Sequence, residues 1–120
     1  MNPEEQLHKI EISLENAKKA IEIANALQRL HANPDFKTVI LEDFFKGEAS
    51  RSVMLKSDPS MASIEKQKNV DDIITSIGGL YNYFGKVYRL GDMSIRALEA
   101  DQNTKEEILE EQLGENELMQ

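Results

Sequence analysis

Two histidines, His8 and His31, are the side chains of this 120-residue chain best suited to acid–base or metal chemistry near neutral pH. Glu5-Gln6-Leu7-His8 has the Glu-x-x-His spacing used in helical di-iron sites. Such a site needs a second pair of the same kind and two further glutamates from other helices. Three residues before His31 stands Gln28, and no inward-facing carboxylate is expected on the long helical pattern after residue 70. Two surface histidines are therefore the expectation. Glu106, Glu107, Glu110 and Glu111 put carboxylates at i, i+4 spacing, which could hold a divalent cation weakly. Without the Asp/Gly loop of a calcium site they read as a solvated face. Gly78-Gly79 lies in an apolar helical pattern and lacks the Lys-Ser or Lys-Thr that completes a phosphate loop. Neither histidine sits where a Ser/His/Asp triad would be built at a strand-to-helix elbow. Cysteine is absent, which removes disulfides, thiolate metal sites and cysteine nucleophiles. The expectation is no catalytic, cofactor-binding or metal residues: not an enzyme, with no cofactor and no small-molecule substrate.

A second cluster mixes aromatic and basic residues: Tyr81, Tyr83, Phe84 and Tyr88 with Lys86 and Arg89. Rings for stacking and cations for phosphate would suit a nucleic acid. However, Tyr81, Phe84 and Tyr88 recur at i, i+3, i+7 and read as the core side of a helix. Tyr83 points to another face and is expected at an interface. Net charge argues the same way. Of the total of −8, residues 1–33 and 34–59 carry −1 each, residues 60–98 carry +1, and residues 99–120 carry −7. An acidic tail repels phosphates, so no nucleic acid is expected. The tail either solvates the chain or docks on a basic surface.

The elements that must position these residues are helices. Val70, Ile73, Ile77, Leu80, Phe84, Val87, Gly91, Ile95 and Leu98 step by three or four, as do Leu7, Ile10, Leu14, Ala17, Ile21 and Ala24. Each set is one apolar stripe of a long helix. Ala20, Ile23, Leu27 and Leu30 form a second stripe on the first helix, which predicts packing on more than one neighbour. Asn2-Pro3-Glu4-Glu5 and Asn33-Pro34-Asp35 are helix starts, each with a cap, a proline and an acid. The first helix should end near His31. A short helix should follow from about Pro34 to Lys46 with Phe36, Val39, Ile40, Phe44 and Phe45 on its face. Gly47 then caps it, and a second short helix from Glu48 to about Lys56 carries Ala49, Val53 and Met54, or the first continues through Gly47 with a bend. Ser57-Asp58-Pro59-Ser60 is a turn. The long helix should begin near Ser60 or Met61, with Lys66–Asn69 as a possible loop between two helices. Gly78, Gly79, Gly85 and Gly91 inside that helix predict close approach of a neighbour, with Gly78-Gly79 as the alternative hinge. Thr104 and Glu107 form a capping box that should open a last short helix ending at Gly114.

The fold expected is all-α: two long antiparallel helices in a coiled-coil-like hairpin or small bundle over residues 1–103, short bridging helices, and an acidic helical tail over 104–120. Neither a membrane span nor a signal peptide is expected from the apolar pattern, and a soluble protein is expected. Leu27, Leu30, Phe44 and Phe45 exceed what one hairpin can bury. With Tyr83 and the apolar side of the tail, Ile108, Leu109 and Leu113, they are the candidate protein interface.

The run Ala32-Asn33-Pro34-Asp35-Phe36-Lys37-Thr38-Val39-Ile40-Leu41-Glu42, the Phe44-Phe45 pair and Leu55-Lys56-Ser57-Asp58-Pro59 resemble small coil-rich proteins of tailed bacteriophages encoded among head and virion structural genes. The resemblance covers about residues 24–100 and brings no functional residues with it. It implies a structural or head-assembly protein found in the host cytoplasm during assembly and in the virion. Its partners would be other protein subunits, through self-association or contact with virion proteins. The alternative is a small phage-encoded regulator that binds and inhibits a host protein, its acidic tail mimicking nucleic acid.

Overall fold

The computed structural model describes residues 2–118, and every regular element among them is helical. In order these are α1 (Pro3–Ala32), α2 (Pro34–Phe36), a π-helical stretch (Lys37–Glu48), α3 (Ala49–Lys56), a 3-10 turn (Pro59–Met61) and α4 (Ile64–Leu118). The all-α fold is as the apolar stripes predict. No described helix is long and apolar enough to cross a membrane.

The helix starts follow from side chains that accept the first free backbone N–H groups. Asn2 Oδ1 accepts from the Glu5 N–H at 2.8 Å. Asn33 Oδ1 accepts from Asp35 and Phe36 at 2.9 and 3.1 Å. Asp58 Oδ1 accepts from the Ser60 N–H at 2.8 Å and opens the 3-10 turn. At three places where the sequence suggests a helix boundary, the helical path continues. Lys66–Asn69 is helical, because α4 begins at Ile64 with the Ser63 hydroxyl accepting from the Lys66 N–H at 3.3 Å. Gly47 does not cap a helix. No described glycine takes the left-handed conformation a glycine cap uses, and the helical path continues into α3. Thr104 starts no new helix: its hydroxyl donates back to the Ala100 carbonyl at 3.0 Å, and α4 runs on to Leu118 without the stop expected at Gly114.

The chain divides into two compact units. One comprises the described residues of Met1–Asn25 and Val87–Gln120, so it holds parts of α1 and α4. Here Leu14, Ala17 and Val87 are buried, with Leu7, Ile10, Ile21 and Ala24 half-buried, as the first stripe predicts. Ser13 pairs with Asp101 and Glu11 with Lys105, so the two helices run antiparallel. At Gly91 they approach closely, since a Cβ there would lie 2.6 Å from that of Ala24. Beyond Gly91 the inner positions of α4 are Ser94, Leu98, Asp101, Lys105, Ile108 and Gln112. Ile95, expected on the inner stripe, is exposed. A search for apolar residues passes over Ser94 and Asp101, which hold the inner places at seven-residue spacing from Val87.

The other unit is Ala26–Lys86. Its core holds Leu27, Val70, Ile77 and Ser52, with Phe36, Phe45 and Phe84 half-buried around them. Between Pro34 and Lys56 the shielded residues are Phe36, Ile40-Leu41, Phe44-Phe45, Gly47-Glu48-Ala49 and Ser52. Their step of about four is longer than the 3.6 of an α-helix and accompanies the i→i+5 winding of Lys37–Glu48. The looser winding is why Val39, expected inside, is exposed and Leu41 is half-buried. On α4, Ile73 is exposed and Ile74 takes the more sheltered place. Gly78, Gly79 and Gly85 are not sites of close approach, because a Cβ at any of them would meet nothing within 4 Å.

Candidate protein interface

In the unit Ala26–Lys86 the aromatic residues form one connected cluster. The His31 ring stands edge-on to Phe36 and Phe84, with centroids 5.6 and 5.5 Å apart. Phe45 meets Phe84 at 5.7 Å and Tyr81 at 5.5 Å, and Phe44 lies 5.9 Å from Phe45. Edge-to-face pairs of this kind add about 0.5–1.5 kcal/mol each beyond the area they bury. The cluster is therefore chiefly a packing device that ties the end of α1 and the π-helical stretch to α4. His31 belongs to it and is half-buried, so the expectation of two surface histidines holds for His8 alone.

The candidate interface residues divide accordingly. Leu27 is only 6% exposed and is core. Phe44 and Phe45 are half-buried in the ring cluster. Leu30 and Tyr83 in this unit are exposed. In the other unit Leu109 and Leu113 are exposed, and Ile108 is half-buried. Tyr81, expected on the core side, is 64% exposed, more than Tyr83 at 53%. Its ring meets that of Phe45 at nearly a right angle. Tyr88 is half-buried, and its burial pushes the hydroxyl above the ordinary tyrosine range.

α3 carries Val53 and Met54, expected on the apolar side of this short helix; both are exposed, and Leu55 partly so. Arg51 is clamped by two carboxylates, Glu48 at 2.7 Å and Asp43 at 3.2 Å. Hydrogen bonds from the guanidinium to Glu48 first and Asp43 second raise the arginine further above its ordinary value. Lys56 pairs with Asp71, and its carbonyl accepts from Gln67 Nε2 at 3.0 Å. Asp58 is held below the ordinary aspartate range, first by the Ser60 N–H and then by the Ser60 hydroxyl. The i, i+4 rows Ala49–Val53 and Ser50–Met54 make up this face. Small residues precede large apolar ones by one turn in both rows.

Inward carboxylates are not wholly missing from α4, as had been expected. Asp101 is half-buried and accepts from the Ser13 hydroxyl at 2.6 Å. It has no companions: among the described residues no three His, Cys, Asp or Glu side chains come together as a metal site would need. Compared with protein-family models, with curated proteins and with solved structures, the chain matches none.

Proposed function

We propose that this chain is a non-enzymatic assembly protein that works by presenting apolar helix faces to other protein subunits. The observation that carries this is the imbalance between core and surface. The fully shielded apolar residues are few and mostly small or medium-sized, whereas large apolar side chains lie exposed on α1, α3 and α4 in both units. Single exposed apolar residues need no explanation. A row of them on one helix face marks a contact surface. The wording of residues 32–59 adds the setting: the head or virion of a tailed bacteriophage, with assembly in the host cytoplasm.

Mass spectrometry of purified particles, with pull-down from the producing cells, tests this reading. The expected result is the protein at a fixed ratio to the other particle subunits. Absence from particles and co-purification with one host enzyme would instead support an inhibitor whose acidic segment, residues 99–120 with net charge −7, imitates nucleic acid.

A further inference from the structure

The winding of Lys37–Glu48 decides which side chains it and α3 bury, and several are ill suited to their places. Ser52 is 1% exposed with its hydroxyl unpartnered, while Val39 and Met54 are 58% and 74% exposed. A buried hydroxyl without a partner, with large apolar side chains left in solvent, is a conflict between sequence and packing. Winding the same stretch as α-helix would relieve it. At 3.6 residues per turn, Met54 lies about five whole turns from Phe36 and would share its inward face. Val39 would lie about a sixth of a turn from that face, and Ser52 nearly half a turn away, facing out. The observed winding has a counterweight in Phe45. In an α-helix it would stand about two and a half turns from Phe36, on the opposite side. Here both rings meet Phe84, Phe45 at 5.7 Å and Phe36 at 5.9 Å. One winding buries Phe45 and Ser52, and the other buries Val39 and Met54. Two packings of one sequence that exchange side chains in this way are the material of a two-state element.

The π winding also has a fastening. The Arg51 guanidinium reaches back eight residues to Asp43 Oδ1 at 3.2 Å, as well as to Glu48 at 2.7 Å. Gly47 lies midway between Asp43 and Arg51. A Cβ there would stand 2.9 Å from Asp43 Oδ1 and 3.2 Å from Arg51 Nη1, so the ion pair passes directly over the bare glycine. Looser winding lines up residues four apart along the axis. In an α-helix, eight residues overshoot two turns by about a fifth of a turn, and the row slants apart. The Glu48 contact, three residues away, is open to either winding. The Asp43 contact is the one that selects. Both of its side chains are more than half exposed, so it biases the element weakly and yields to salt.

We infer that the row Asp43–Gly47–Arg51 is a clamp on a two-state element: it holds Lys37–Glu48 in the π winding, and its release lets the stretch rewind as α-helix, turning α3 so that Met54 enters the core and Ser52 leaves it. The device lies within the unit Ala26–Lys86 and does not rest on the assembly reading. Because the chain has no cysteine, single-cysteine variants of the full chain report burial by thiol alkylation. Asp43→Asn keeps the size of the side chain and removes the charge. Added to Ser52→Cys, it should speed alkylation at position 52 at least three-fold. Raising the salt to about 1 M, where the screening length is about 3 Å, should act in the same direction on Ser52→Cys with Asp43 intact. Val70→Cys, at an equally buried place on α4, should be unaffected by either change. Adding Met54→Lys, whose charge cannot enter the core, should return the rate at position 52 to that of Ser52→Cys alone. No acceleration at position 52 under either change would overturn the clamp. Equal acceleration at positions 52 and 70 would mean that the unit loosens as a whole, and would overturn the rewinding. A faster rate at position 52 that survives Met54→Lys would overturn the exchange of Ser52 for Met54.

Discussion

Gly91 and Gly79 occupy the same helix, yet alanine should act oppositely at the two positions. A methyl at Gly91 would sit 2.6 Å from the Ala24 Cβ, a short and stiff neighbour, so one helix must shift. Gly91→Ala should destabilise the chain by about 1–2 kcal/mol net of its gain in helix propensity. At Gly79 a methyl meets nothing within 4 Å, so Gly79→Ala should stabilise by about 1 kcal/mol. Urea melts of the two variants check both signs. Ser52 is 1% exposed, and its hydroxyl has no hydrogen-bond partner among the described residues. Ser52→Ala removes a desolvated polar group and should leave stability equal or raise it by about 1 kcal/mol in the same melts. Asp58 supplies a pH-dependent contribution. Its folded value lies below the unfolded one, so its stabilisation is fully present above the ordinary aspartate range and is lost as pH falls through the lower, folded value. An NMR titration of its carboxyl carbon should show a midpoint below that of a free aspartate, and Ser60→Ala should move it back upward.

At the scale of elements, the helix starts were the most legible part of the chain. Asn2, Asn33 and Asp58 all accept from backbone N–H groups as their positions predict. Asn33→Ala should cost about 1 kcal/mol, since Asp35 and Phe36 would lose their acceptor at the start of α2. A thermal melt measures it. What was not legible was where helices fail to stop. Gly47, Asn69 and Thr104 all resemble boundaries in isolation, but each sits in a continuing helical path. Local propensity costs of about 1 kcal/mol or less are readily overridden by packing on either side. The winding of Lys37–Glu48 was also hidden. Its evidence is the step of about four between shielded side chains, which a search for 3.6 periodicity reads as an imperfect α-helix. Of the candidate interface, Leu30, Tyr83, Leu109 and Leu113 were legible as apolar residues beyond the core. Leu27 was not, because its neighbours in the core come from outside the local window. On α3, Ala49, Val53 and Met54 were legible as the apolar set of a short helix, whereas the groove that the small Ala49 and Ser50 leave beside Met54 was not.

At the scale of the whole molecule, the proposed assembly role requires the chain to associate through helix faces. The tail contributes to this indirectly. Lys105 pairs with Glu11 and Asp101 with Ser13, so the start of the acidic segment is fixed to α1 in its own unit. Deleting residues 104–120 should remove most of the net charge and the Lys105 pair, while α3 and its grooves remain. The central claim is self-association, and sedimentation equilibrium of the intact chain tests it most directly. A concentration-dependent rise from 13.6 kDa toward twice that mass is the expected result. A single 13.6 kDa species at every concentration, with the helix content intact, would contradict it.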